Sequence, residues 1–260
     1  MEYGCIAEKL GHSFSKVIHA LLGDYSYELC EVKPEDLESF MRGGHFRAIN
    51  VTIPYKEAVL PYMFRLDEQA RTIGAVNTVV NRDGKLWGYN TDFYGMKSMI
   101  ESRGISLTGK TVAVLGTGGT SRTARAVAKE MGAAGILTVS RTGRGDAITY
   151  EELRTRSREI QILINTTPCG MFPNTQGRAV DVEEFPRLEG VVDAVYNPVR
   201  PQLVLDAGIR GIPATGGLYM LVAQAVRASE IFLDTTYLNH SFLYLFTRVF
   251  IFNFYISFFF

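Results

Sequence analysis

Cysteine is scarce in this chain. There are three in 260 residues, Cys5, Cys30 and Cys169, far apart and odd in number. No CxxC pair occurs, so neither a disulfide scaffold nor zinc-ribbon spacing is supported, and a reducing compartment is expected. Net charge is absent too. The 27 Lys and Arg balance 27 Asp and Glu, which argues against an overall basic field for nucleic acid or anionic lipid. Arg154, Arg156 and Arg158 read as a solvated helix end. Histidine is limited to four residues. His12 and His19 fit one helix face, but no acidic residue stands near them at ligand spacing, so no metal is expected. The opening MEYGCIAEKLGHS lacks the basic and apolar regions of a signal peptide. A cytoplasmic protein is the expectation.

What is present is ordinary globular material, 47% hydrophobic and 21% charged. That suffices for one large domain or two modest ones. One segment departs from it. SFLYLFTRVFIFNFYISFFF, residues 241–260, holds half of the sixteen phenylalanines. Its length would allow a membrane span, but Arg248 is costly at such a depth. Its residue types also match T- and A-rich codons read out of frame. Residues 237–260 are therefore set apart as an atypical aromatic tail, and no membrane attachment is expected.

The first half, to about residue 104, alternates short strand-like and helical runs. YGCIAE, YSYELCEV and INVTI read as strands, the last over Ile49–Ile53. AVNTVVNRDGKLWGYNTD reads as two strands about an Asp83-Gly84 hairpin turn. HSFSKVIHALLG reads as a helix with serines available as caps and Gly23 at its end. PEDLESFMRGG reads as one with Pro34 in its first turn, and DFYGMKSMIESRG as a third. In the second half TVAVL, GILTV, QILIN, GVVDAV and GIPAT are strands. An amphipathic helix follows the first of them and GGLYMLVAQAVRASEIFLD closes the chain. Strands alternating with helices predict a parallel, doubly wound sheet.

Two features of the second half point to a nucleotide. Gly116, Gly118 and Gly119 lie between a strand and a helix, where backbone N–H groups receive a pyrophosphate. Ser121 stands where the third glycine of that motif would be. The next strand ends in Ser140-Arg141-Thr142, then Arg144. An NAD site wants a carboxylate there; a guanidinium with hydroxyls suits a 2′-phosphate. NADP is favoured. A ligand-free glycine turn and two surface arginines remain the alternatives.

A hydride cofactor needs a proton-transfer group and orienting side chains beside the substrate. Candidates in the first half are Ser13, Ser15, Thr52, Lys56, Asn77 and Asp92. Lys56 is puzzling in itself: INVTIPYK places polar Asn50 and Thr52 in an apolar run and an ammonium just beyond it. The plainer readings are a solvated lysine, helix-capping Ser13, Ser15 and Asp92, and a turn residue at Asn77.

GHSFSKVIH, NVTIPYK, GAVNT, GYNTD, GTGGTSRTA, SRT, INTTPCGM, DAVYNP and GGLYMLVAQA, in this order, resemble the motifs of the shikimate dehydrogenase family. The resemblance runs from about Tyr3 to Asp234. It implies reversible NADPH-dependent reduction of 3-dehydroshikimate to shikimate. By the same resemblance Lys56 and Asp92 fall on the catalytic pair, with Lys the proton-transfer group and Asp orienting it. Ser13, Ser15, Thr52, Asn77, Tyr196 and Gln224 fall on substrate-binding positions. Gly116, Thr117, Gly118, Gly119, Thr120, Ser140, Arg141 and Thr142 fall on cofactor positions, and Ala194 and Gly217 near the nicotinamide end. Lys16 replaces a frequent Pro, and Ser140 a common Asn. The implied fold is α/β in two lobes. A three-layer α/β substrate domain covers residues 1–103, with the helix from about 217 packing back on it, and a Rossmann-type NADP domain covers 104–216. The active site is expected in a cleft between them, in a monomer or homodimer. Broader quinate/shikimate and aminoshikimate enzymes are the near alternatives. A non-catalytic shikimate binder should have lost Lys56 or Asp92. A folate-linked dehydrogenase does not fit GHSFS with GYNTD. Trimming after about Asp234 is expected to spare cofactor binding.

Overall fold

The computed structural model describes residues 1–10 and 14–237. Its chain divides into two compact units. Among the described residues, one comprises Met1–Tyr94 and 222–237; the other is Gly95–Leu221.

The first unit carries, in chain order, β1 (Tyr3–Ala7), α1 (Ser15–Leu22), β2 (Tyr27–Glu31), α2 (Leu37–Gly43), β3 (Ala48–Val51), β4 (Arg65–Leu66), α3 (Glu68–Ile73), β5 (Thr78–Arg82) and β6 (Lys85–Tyr89). Its six strands form a mixed sheet in the order β2-β1-β3-β5-β6-β4. β1 runs parallel to β2 and β3, and β5 is antiparallel to β3 and β6. Asp83 and Gly84 both take positive φ, 53° and 79°, the conformation that a two-residue hairpin of this twist requires.

Side-chain alternation gives this sheet two buried faces. Tyr3, Cys5, Tyr27, Ala48 and Val80 pack with Ala228 and Phe232. Ile6, Ile49, Val51, Val79 and Leu86 pack on the other side with Leu37 and Met41 of α2. Helices on both faces make the expected three layers. Truncating a fully buried Ile such as Ile49 to Ala would cost about 2–5 kcal/mol.

Two helices carry the chain across the unit boundaries, α4 (Thr91–Glu101) near the start of the second unit and, last among the described residues, a helix over Leu218–Leu233. Between them lie β7 (Thr111–Leu115), α5 (Gly119–Glu130), β8 (Gly135–Val139), α6 (Tyr150–Thr155), β9 (Ile162–Asn165), β10 (Gly190–Asp193), α7 (Gln202–Ile209) and β11 (Ala214–Thr215). The Leu218–Leu233 helix is α8. All five strands are parallel, ordered β11-β10-β9-β7-β8. Chain direction across the sheet reverses at β7, so its carboxyl end is the switch point where such sheets bind ligands. The fold is Rossmann-type α/β, as the glycine turn and the strand–helix alternation implied.

Several sequence readings need correction. The strand read as Ile49–Ile53 ends at Val51. Thr52 N–H still donates to Ile6 O at 3.0 Å, but Tyr55 N–H then closes a turn onto Thr52 O at 2.9 Å, leaving Ile53 77% exposed. Pro54 supplies no N–H and restricts the residue before it, so the ladder cannot continue. The PEDLESF helix begins as a 3₁₀ turn at Pro34–Asp36. Phe14 occupies the cap position of α1, without a side-chain capping bond. β4, α3 and α7 went unread, and α6 was read only at its end, through Arg154, although Thr149 and Glu152 form a full capping box at its start that TYEE advertises.

Candidate active site

Lys56 and Asp92 meet. Lys56 Nζ donates to Asp92 Oδ2 at 2.6 Å, with about a quarter of the lysine side chain exposed. Thirty-six positions separate the two, and separate backbone bonds bring them together. Val76 N–H donates to Lys56 O at 2.8 Å, which ties the lysine to the approach of β5. Asp92 sits in the first turn of α4. It does not serve as the helix cap: Asn90 Oδ1 accepts from Phe93 N–H at 3.4 Å, and Asn90 Nδ2 anchors on Ala75 O at 2.9 Å. The carboxylate is left to the ammonium, and the pair makes a short charge-assisted bond.

Asn77 enters the same locale through a buried polar network. Its Oδ1 accepts from Thr91 N–H at 2.8 Å and from Thr78 Oγ1 at 3.0 Å. Its Nδ2 donates to Thr91 Oγ1 at 3.1 Å. Asn50 explains its own presence in an apolar strand. Its Oδ1 accepts from Tyr27 Oη at 2.7 Å, while Nδ2 donates to Asn77 O and Thr78 Oγ1 at 3.2 and 3.1 Å. Sequence reasoning missed Asn50, Thr78 and Thr91 as parts of the site, although NVT, AVNT and YNTD show them as polar residues inside apolar runs.

The other predicted residues divide by unit. Ser15 opens α1, Thr52 follows β3, and Gln224 lies on α8; all three are partly exposed. Ser13 and the tail beyond Tyr237 lie outside the described residues. Behind the site, His19 stacks on Tyr27 at 3.9 Å and on Phe232 at 5.7 Å. A chain of bonds links its ring through Tyr25 Oη (2.6 Å) and Ser229 Oγ (2.9 Å) to Tyr237 Oη (2.9 Å), which donates to Leu22 O at 2.9 Å. Burial lowers the His19 pKa to about 3, so the ring is neutral.

In the second unit, Gly116 has φ 112° and a Cβ there would stand 2.7 Å from Thr166 Oγ1, so only glycine fits. Gly118 is the extended residue before α5, and the space around Gly118 and Gly119 is open. Thr117, Gly118 and Gly119 are exposed and Thr120 partly so. Ser121 is buried, and its N–H donates to Gly118 O at 3.0 Å; the small side chain fits where a glycine is usual. These amides at a helix N-terminus fit a pyrophosphate. Beyond β8, Ser140 Oγ accepts from Gly143 N–H at 3.0 Å, while Arg141, Thr142 and Arg144 are exposed to solvent. The cationic side chains without a carboxylate among Ser140–Gly145 fit a 2′-phosphate.

Ala194 and Gly217 do come together. Gly217 N–H donates to Val195 O at 2.8 Å, and a Cβ on Gly217 would lie 2.2 Å from Ala194 O. Asp193, wholly buried at the end of β10, organises this loop. Its Oδ1 accepts from Val195 N–H at 2.9 Å and Asn165 Nδ2 at 3.0 Å. Burial raises the Asp193 pKa to about 7. Tyr196 follows, its phenol pushed up by burial. Asp193 and Asn165 were not singled out from sequence, because INTTP and VVDAV end strands in the manner of ordinary turn residues. Among the described residues no cluster of His, Cys, Asp or Glu is arranged to hold a metal, and no helix is long and apolar enough to cross a membrane.

The family model for the shikimate dehydrogenase substrate binding domain matches residues 5–79. The shikimate dehydrogenase (NADP(+)) of Clostridium perfringens strain 13 is 37% identical over 247 residues, covering 88% of this chain and 91% of that protein. That of Halothermothrix orenii is 37% identical over 257 residues, covering 88% and 89%. A solved chorismate mutase/shikimate 5-dehydrogenase fusion protein from Clostridium acetobutylicum is similar with TM-score 0.87 and 33% identity, over 95% of this chain and 96% of that one. Shikimate 5-dehydrogenase from Thermus thermophilus, solved with NADP(H) and shikimate, gives 0.83 at 27% identity over 95% and 99%.

Proposed function

The chain belongs to the shikimate dehydrogenase family, and from that premise we propose that it interconverts 3-dehydroshikimate and shikimate with NADP as cofactor. When bound, NADPH supplies the hydride. The 2.6 Å pairing of Lys56 with Asp92 carries the proposal. In the reducing direction the Lys56 ammonium gives its proton to the carbonyl oxygen that becomes the alcohol. In the oxidising direction the neutral amine takes that proton back. Asp92 fixes the lysine rotamer and accepts from a substrate hydroxyl. Ser13, Ser15, Thr52, Asn77, Tyr196 and Gln224 bind the hydroxyls and carboxylate of the ring. The amides of Gly116–Thr120 hold the pyrophosphate, Ser140, Arg141 and Thr142 the 2′-phosphate end, and Ala194 and Gly217 the nicotinamide amide. A cytoplasmic monomer or homodimer completes the proposal.

Nicotinamide absorbance tests it, with purified chain, shikimate or quinate, and NADP⁺ or NAD⁺ in parallel. Shikimate oxidation with NADP⁺ is expected, and Lys56→Ala should lower kcat by roughly 10²- to 10⁴-fold, the usual worth of a positioned proton-transfer group. Turnover that survives in Lys56→Ala removes the lysine from the mechanism. Preference for NAD⁺ and quinate moves the substrate assignment to a broader dehydrogenase.

A further inference from the structure

Thr78 has no exposed surface and touches every polar member of the network around Asn77. It accepts from Asn50 Nδ2 at 3.1 Å, donates to Asn77 Oδ1 at 3.0 Å, and lies 3.3 Å from Thr91 Oγ1. Asn50 cannot turn over, because its Nδ2 also faces the carbonyl of Asn77, which only accepts. Thr78 therefore receives a proton from Asn50 and has its own hydroxyl proton free to give. Asn77 cannot turn over either. Its Oδ1 faces the backbone N–H of Thr91, which only donates. The amide oxygen thus faces the Thr91 N–H and the Thr78 hydroxyl, with Thr91 Oγ1 also 3.3 Å away, and one N–H is committed to Thr91 Oγ1.

We infer that Thr78 is a positioning residue: fed by Asn50, its hydroxyl joins the Thr91 N–H in holding the Asn77 amide with the oxygen turned inward, so that Asn77 meets the substrate only as an N–H donor. This rests on the reading of Asn77 as a substrate contact beside the Lys56–Asp92 pair. It defines the matching chemistry on the ligand, an oxygen lone pair rather than a hydroxyl proton. It also explains why a threonine and not an aliphatic residue begins β5, between Asn77 and the core positions Val79 and Val80. A hydroxyl lost at Thr78 would leave the amide oxygen held chiefly by the Thr91 N–H, loosening the Asn77 carboxamide and misaiming the N–H that meets the ligand.

The test uses the full chain with Thr78→Val and Thr78→Ser. Thr78→Val is expected to raise the KM for shikimate about ten-fold, as for one lost polar contact of about 1.4 kcal/mol, with KM for NADP⁺ unchanged. Thr78→Ser, which keeps the hydroxyl, should restore the wild-type KM to within about two-fold. A merely structural role would lower the thermal midpoint of both variants without separating the two KM values. Thr78→Val removes a buried partner and can fail to fold, so the wild-type chain gives a second measurement. The two side-chain amide protons of Asn77 are followed by NMR, and one, slow to exchange without ligand, should stay unmoved while the other shifts on adding shikimate. Shikimate KM unchanged in a folded Thr78→Val, or an Asn77 amide indifferent to shikimate in an active chain, overturns the inference alone. A wild-type chain inactive on shikimate overturns the reading beneath it.

Discussion

Asp193→Asn isolates the electrostatics of one buried carboxyl. Asp193 is fully buried, and its two bonds on Oδ1, from Val195 N–H and Asn165 Nδ2, only partly offset the loss of water. Its pKa rises from 3.8 to about 7, with burial the largest cause. Between those values the folded chain holds a proton that the unfolded chain releases. Stability therefore falls as pH rises through that window, by about 1.4 kcal/mol per unit where the difference in bound protons is complete, and levels off above about pH 7. The full span is on the order of 4 kcal/mol, an upper figure because relaxation around the carboxylate reduces it. Asparagine keeps an oxygen for both donors and does not titrate. Urea unfolding of both proteins at intervals from about pH 5 to pH 8 reads the difference directly. The variant should gain on the wild type steadily with pH and be the more stable above neutrality. A stability difference that does not change with pH would refute the argument, since it would mean that Asp193 titrates alike in folded and unfolded chains.

His19 works through the charged form of a base. Its pKa falls from 6.5 to about 3 on burial, so its contribution is complete above about pH 6.5 and is lost as pH drops toward 3. A neutral replacement, His19→Asn, should flatten the acid limb of the stability curve in that interval, as measured by circular dichroism. Gly217→Ala would set a Cβ 2.2 Å from the Ala194 carbonyl, and the backbone must shift; a thermal midpoint lower by several degrees, with weakened NADP⁺ binding by fluorescence, is expected. Ending the chain at Asp234 rather than Tyr237 removes the phenol that donates to Leu22 O and an N–H that donates to Glu230 at 3.0 Å. The shorter chain should be less stable by about 1–3 kcal/mol in urea and bind NADP⁺ as before.

Much of the fold was legible because it depends on short-range pattern. TVAVL, GILTV and QILIN are apolar runs of strand length bounded by turn residues, and they became the inner strands β7 and β9 and the edge strand β8. DG between two alternating runs became the hairpin. Elements with no such pattern escaped. β4 has two residues and exists only because β6 offers it an edge. α3 and α7 are short and are held by packing more than by propensity. INVTI failed as a strand at its end because proline's restraint on Ile53 outweighed the apolar pattern.

The site divides along the same line. Residue type alone offered Lys56 and Asp92 among six polar candidates, and Arg141 without a nearby carboxylate as a phosphate contact, since those are properties of side chains; their pairing came from the family resemblance. The amino-acid order also determined the glycine turn, because φ 112° at Gly116 excludes any other residue. Only the tertiary structure decided that Asp92 turns to Lys56 while Asn90 caps the helix, that Asn50 donates to Thr78 and Thr78 to Asn77, and that Asp193 is buried deeply enough to hold a proton near neutrality. Those outcomes depend on distance and desolvation between residues remote in the chain, and both are set by how the strands pair and the helices cover them, which no local pattern encodes.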